Sequence, residues 1–379
     1  MKIGLVVPHI FMQEALLSRV IFSPGRLAMD LANELVAMGE EVTLYVPGPV
    51  GSSVHQVTAD LEFFERELGL RGDTYLELLK KHPLTFITLA RQAQNELVAR
   101  AYADANAGLL DVVHVYTNEE ETALPFAQFC SKPVVFTHHD PFNFLVRYRS
   151  VMPRYKELNW ISMSRSQRSG MPADTNWVGN VYHGLPLGRF HLEAKRKGDY
   201  ILFMGRIIEP KGVHLAIAAV RQYNREHVGA ALQLVIAGKH YGDGDKDKYW
   251  TQQIQPEIDG DTVRYIGFVG DDADKQELLA GARALVMPSV FDEPFGLVQI
   301  EALACGTPIV GMNNGAISEV VRDGINGALV QDPSELAAAF GRVCKVDRAD
   351  CRADFEERFS ASRMAAEHLA IYQSLATRE

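Results

Sequence analysis

A chain of 379 residues, 47% hydrophobic and 23% charged, is long enough for two domains of ordinary size and has the composition of a soluble globular protein. Its formal net charge of −10 argues against a nucleic-acid partner, because displacing phosphate counterions takes a basic surface, but leaves peripheral membrane contact open. Cys130, Cys305, Cys344 and Cys351 form no CxxC pair, which excludes a disulfide framework or zinc knuckle and fits a reducing cytoplasm. The apolar start IGLVVPHIFM includes a proline and lacks a small-residue cleavage site, so it reads as a first buried strand rather than a signal peptide. No run approaches the roughly 18 apolar residues that a membrane span needs.

Apolar runs of the kind seen in buried parallel strands recur at 2–8, 41–46, 111–115, 133–137 and 160–164. Between the first two lies a helix that Ser23 can cap and Pro24 can open, with Leu27, Leu31, Leu35 and Met38 on one face and Gly39 at its end. Strand, helix, strand is the unit of a doubly wound sheet. Residues 55–108 are less regular and mostly helical, interrupted by Lys80, Lys81 and His82, and carry no legible role. The chain turns polar and basic at 187–199, in LGRFHLEAKRKGD, which reads as an interdomain linker. A second series follows: strand 200–204, helix 212–226, strands 233–237 and 263–267, helix 272–280 and strand 284–288. A last helix at 362–375 spaces Met364, Ile371, Tyr372 and Leu375 along an apolar face and must dock on one of the two domains.

The densest stretch is FDEPFGLVQIEALACGTPIV, 291–310. Pro294 suits a first helical position and Gly306 a stop, followed by a Gly-Thr-Pro turn and an apolar strand, which puts Glu293 and Glu301 around a helix start. Free amides at such a mouth hold phosphate, and a carboxylate there holds sugar hydroxyls. Glu293 can instead serve the helix dipole, worth about 0.3–1 kcal/mol. Glu301 lies in an apolar segment where a lone carboxylate is costly, so it requires either a ribose diol or an internal partner. Upstream, GRIIEPKG sets Gly205, Arg206 and Lys211 at the carboxyl end of a strand, where ligands of open α/β sheets bind. Two cations there would stabilise a departing diphosphate, although an Arg and a Lys in a loop are by themselves more often simply solvated.

GRIIEPKG, VIAG, YIGFV, the 291–310 stretch and GAISEVVRDGINGALV together resemble glycosyltransferase family 4, across nearly the whole second half and in order. The first half resembles it more loosely, through DVVHVY, KPVVFTHHD, ISMSRSQ and VYHGLPLGRF, with His183 where the family has asparagine. The resemblance implies an α/β protein of the GT-B fold, two Rossmann-like doubly wound domains facing a cleft. Residues 1–190 would form the acceptor domain, 191–360 the nucleotide-sugar domain, and 361–379 would cross back to the first.

It also implies a retaining transferase moving a hexose from a nucleotide sugar, UDP-glucose as first choice and GDP-mannose as second, to an unidentified hydroxyl acceptor. Glu301 would hold the ribose, Glu293 the sugar hydroxyls, and Arg206 with Lys211 the diphosphate. The amides of Phe295, Gly296 and Leu297 would face the distal phosphate, with Gly267 and Phe268 near the base. His139, rather than the adjacent His138, would stand at the sugar's reacting face. Gly25, Phe142 and Phe144 are candidates for the acceptor side, with Arg147 and Tyr148 beside them, and these aromatics can equally be core.

The first strand is not followed by GxGxxG, which argues against a dinucleotide dehydrogenase. Neither a cofactor nor a metal is expected. In YGDGDKDKYW, Asp243, Asp245 and Asp247 fail as an EF-hand because Lys248 and Ile254 occupy the glycine and glutamate positions. Cys305 reads as a small packed residue rather than a nucleophile. Two alternatives remain: a nucleotide-sugar epimerase of the same fold, and a non-catalytic nucleotide-sugar binding subunit.

Overall fold

Runs apolar on both faces become central strands, and the amphipathic segments between them become the covering helices. The computed structural model describes residues 1–17, 20, 22–117, 120–195, 198–240, 242 and 247–377. It divides into two compact units: Met1–Met163 with Arg168–Tyr182 and Ala361–Glu379, and Ser164–Gln167 with His183–Ser360. The stretch 187–199, expected as the linker, is stitched onto the second unit. There the amide of His191 donates to Gln276 Oε1 at 2.8 Å and that of Gly198 to the Gly281 carbonyl at 3.0 Å.

The first unit holds seven strands, β1 (Lys2–Val6), β2 (Glu41–Val46), β3 (His55–Thr58), β4 (Val112–Thr117), β5 (Val134–His138), β6 (Asn159–Ser162) and β7 (Trp177–Asn180). They pair in parallel in the order 3-2-1-4-5-6-7. The second holds β8 (Tyr200–Met204), β9 (Gln233–Ala237), β10 (Val263–Gly267), β11 (Ala284–Met287), β12 (Ile309–Met312) and β13 (Gly327–Val330), parallel in the order 10-9-8-11-12-13. Strand order reverses between β1 and β4 and again between β8 and β11, the positions where a doubly wound sheet opens a crevice at its carboxyl edge.

The three strands not read from the sequence, β3, β7 and β13, all lie at sheet edges. They are four residues each; none of β3 or β7 is buried and no continuous apolar run marks those two, whereas β13, GALV, is apolar and mostly buried but short. The helix Ser23–Ala37 buries Leu27, Leu31 and Leu35 as its spacing predicts. Ser23 is its first residue rather than its cap: Phe22 takes the cap position, and no side chain bonds to the helix start. Among the described residues no helix is long and apolar enough to cross a membrane.

The closing helix Ala361–Ala376 belongs to the first unit and is fastened to β4 by buried polar groups. His114 Nδ1 meets the Tyr372 hydroxyl at 2.6 Å, and its Nε2 meets Thr137 Oγ1 at 2.8 Å. His368 donates from Nδ1 to the Met364 carbonyl at 2.8 Å, which in the neutral ring leaves Nε2 without a hydrogen. Burial pushes His368 down to about 4 and, with His368 as a smaller cause, holds His114 well below its ordinary 6.5.

Unfolded, both rings take up a proton near pH 6.5, which the folded protein refuses. Stability is therefore full above about pH 6.5 and falls as the pH drops toward 4. His368 alone corresponds to a loss of about 2 kcal/mol between pH 7 and pH 5. Urea midpoints at the two pH values measure it. A His368→Leu variant should show a shallower pH dependence, and an unchanged slope would count against the assignment.

Candidate active site

In the second unit the loops after β8 and β11 flank the point of reversal. They are laced together. The amide of Val290 donates to the Pro210 carbonyl at 2.9 Å, and Gly212, at φ +71°, lies so close that an added Cβ would sit 2.2 Å from the Pro288 carbonyl oxygen. Lacing brings Lys211 and Glu293, 82 residues apart, into a direct ion pair between Nζ and Oε2, and the Lys211 ammonium lies 5.3 Å from the centre of the Phe291 ring. Glu293 is also gripped through its backbone. The Ala316 amide donates to its carbonyl at 2.8 Å, while Gly315 packs against its amide nitrogen.

Pro294 does not open the helix. Gly296 adopts φ +80°, a conformation that breaks the helical run, and the helix is Leu297–Ala304 with Gly296 as its cap. Glu293 is accordingly an ion-paired loop residue and not a capping carboxylate. The helix start has no side-chain cap, and among the described residues no acceptor takes the amide hydrogens of Gly296, Leu297 and Val298. Such bare first-turn amides, with the positive end of the helix dipole, form an anion site. Phe295 itself is buried, its ring 4.8 Å from that of His183. Gly306 takes φ +77° just past the helix end, as its position in the sequence predicts.

Arg206, two residues past β8, has no side-chain hydrogen bond or ion pair among the described residues. Glu301 has an internal partner: Lys275, from the helix Asp272–Gly281, bonds its Oε1 at 2.8 Å. Lys275 escaped the sequence reading because nothing in DDADKQELLA relates it to a glutamate 26 residues on. Three further polar atoms around Glu293 were also missed. Ser289 Oγ, Gln299 Oε1 and Asn314 Oδ1 are buried without a partner, although Asn314 Nδ2 donates to the Ser289 carbonyl at 2.9 Å and Gln299 Nε2 to that of Phe295 at 2.6 Å. Buried polar atoms of this kind are normally satisfied, and a cluster of them at a sheet's carboxyl edge is a place for polar ligand or water. Gly205 directly follows β8, and Gly267 ends β10 with Phe268, 51% exposed, beside it.

In the first unit His138 and His139 part company. His138 ends β5 with no exposure, its ring packed on Phe142 and Tyr148. His139 lies one residue past the strand, half-buried, with its ring 4.4 Å from that of Tyr116. Phe142 is 1% exposed and its ring is 5.6 Å from that of Trp160, so it belongs to the core and offers no acceptor surface; Tyr148 is buried likewise. Phe144 is 49% exposed. Gly25 is the third residue of its helix, packed against Met12 and Phe22. Cys305 is buried, which pushes its thiol up to about 12 and keeps it protonated. Asp243 and Asp245 lie outside the described residues, whereas Asp247 accepts from the Trp250 amide at 3.0 Å.

The whole chain superposes on sucrose-phosphate synthase from Thermosynechococcus elongatus with a TM-score of 0.73 at 19% identity, covering 100% of both chains. It superposes on the Anabaena protein HepE, in complex with UDP and glucose, with a TM-score of 0.68 at 18% identity, covering 99% of this chain and 100% of that one. These likenesses and the two parallel sheets define an α/β protein of the GT-B fold. Residues 188–358, the part of the chain that contains β8–β13, match the family described as glycosyl transferases group 1. Over 202 residues it is 32% identical to the glycogen synthase of Mycobacterium tuberculosis, a match covering 52% of this chain and 46% of that one. The chain thus spans about half the length of that relative.

Proposed function

We propose that the protein is a retaining hexosyltransferase that takes its sugar from a nucleoside diphosphate sugar and passes it to a hydroxyl acceptor. The observation that carries this reading is the convergence of Lys211, Glu293 and an uncapped helix mouth at the β8/β11 reversal. Phosphate oxygens suit Lys211, Arg206 and the bare amides, and the hydroxyl hydrogens of a sugar suit Glu293. Glu301 has one oxygen on Lys275 and another for a ribose diol. Exposed Phe268 is suited to cover a base. UDP-glucose is the first candidate donor, a choice supported by the UDP and glucose bound to HepE, and GDP-mannose the second.

From the first unit, His139 is assigned to the sugar's reacting face and Phe144 to the acceptor. Arg206, Lys211 and the helix mouth meet the charge of the leaving diphosphate, so transfer should proceed without a metal and persist in a chelator. A cytoplasmic location belongs to the same proposal, in keeping with four free cysteines.

The test is incubation with each donor and a cell extract, followed by mass spectrometry of products and NMR of the new anomeric bond. Transfer with retention supports the proposal; C2 inversion of the sugar would identify an epimerase, and binding without turnover a non-catalytic subunit. Glu301→Ala should weaken nucleotide binding by about 10-fold or more, the worth of one to two hydrogen bonds to a charged group. Calorimetry measures this, and wild-type affinity in the variant would remove Glu301 from the ribose.

A further inference from the structure

The cations at the β8/β11 reversal differ in their availability. Arg206 is unpaired among the described residues, whereas Lys211 is committed to Glu293, with the two side chains only 13% and 8% exposed. The pair's backbone-anchored member is the glutamate. Glu293 is fixed by the Ala316 hydrogen bond and by Gly315 packed on its amide, while Lys211 ends a short turn, Glu209–Lys211, on a long flexible side chain.

An arriving diphosphate asks for the cation that already neutralises Glu293. If it takes the ammonium, a largely buried carboxylate is left without its counter-charge, which is costly. If the ammonium touches both, one positive charge serves two anions. An intact nucleotide sugar avoids this conflict, because its hydroxyls donate to Glu293 while its phosphates take Lys211.

Resting on the donor-site reading above, we infer that Glu293 is a built-in competitor of the diphosphate for Lys211. The intact donor satisfies both partners and is held. Once the sugar has been transferred, the hydroxyls leave Glu293, the carboxylate recaptures Lys211, and the nucleoside diphosphate product is loosened. The same glutamate that selects a sugar-bearing nucleotide thereby limits product inhibition.

The experiment is calorimetric titration of UDP, GDP and ADP, and of the matching nucleotide sugar, into the wild type, Glu293→Gln, Lys211→Met and the double variant. For the diphosphate that the wild type binds, Glu293→Gln should bind it about tenfold more tightly, on the scale of one hydrogen bond to a charged group, and the intact nucleotide sugar more weakly. Lys211→Met should weaken the diphosphate, and in its presence the gain from Glu293→Gln should largely vanish.

A Glu293→Gln protein that binds the diphosphate no more tightly than the wild type overturns the inference. So does a gain of full size in the double variant, which would mark through-space repulsion rather than competition for the lysine. If neither the wild type nor any variant binds any nucleotide, the donor-site reading itself fails and the inference with it. Should Glu293→Gln melt below the assay temperature, Glu293→Ser carries the same comparison.

Discussion

Lys211→Ala is expected to lower the turnover number by roughly 10²–10³, the usual loss when one preorganised donor to a developing charge is removed. The diphosphate gains charge as the glycosidic bond breaks, so a cation at that oxygen stabilises the transition state more than the bound donor. The loss should therefore appear mainly in kcat, with a smaller change in KM. Lys211→Arg keeps the charge but presents it as a planar fork, and should recover only part of the rate. Steady-state kinetics with the active donor, alongside a thermal melt, separate this from misfolding. A folded Lys211→Ala enzyme with wild-type kcat would take the lysine out of leaving-group stabilisation.

Gly212→Ala should be strongly destabilising for the second unit's site. The residue sits at φ +71°, where a side chain costs about 1–2 kcal/mol, and the new Cβ would fall 2.2 Å from the Pro288 carbonyl oxygen. Relieving that overlap by shifting backbone adds about 1–3 kcal/mol. The sum, about 2–5 kcal/mol, corresponds to a fall in Tm of roughly 5–15 °C for a unit of this size. Because Gly212 holds the β8 loop against the β11 loop, the shift would also draw Lys211 away from Glu293 and reduce donor affinity. Gly205→Ala is the control, since its nearest neighbour to a new Cβ is Phe203 at an ordinary 3.9 Å. Calorimetric melts of the two variants should differ clearly, and equal midpoints would mean that the contact at Pro288 relaxes freely.

The central strands were legible because they are covered on both faces and so must be apolar throughout; β2, β8 and β9 have the bounds their runs predict, and so does the edge strand β10. The edge strands β3 and β7 were not, since half-exposed four-residue segments carry no such run, and β13 was missed although its four residues are apolar and mostly buried. Helix periodicity placed the helices Ser23–Ala37 and Val213–Glu226 within about one residue, but capping chemistry misled twice. Ser23 lies inside its helix, and Pro294 lies three residues ahead of the one it should open, because the backbone turn at Gly296 governs that boundary.

At the site, residue type and spacing singled out Arg206, Lys211, Glu293 and Glu301, and the apolar surroundings of Glu301 said that it needed a partner. Which partner each has is a property of the fold. Phe142 likewise reads as an acceptor contact or as core with equal ease, until β5 and β6 are brought together and Trp160 covers it.

The sequence by itself determined the two doubly wound halves and the chemistry-bearing motif, because both are written in local patterns of burial and backbone geometry. Only the tertiary structure decided that Lys211 neutralises Glu293 and Lys275 neutralises Glu301. Those pairs join residues 82 and 26 positions apart, on loops and helices whose spacing is set by strand order in the sheet and not by any pattern along the chain.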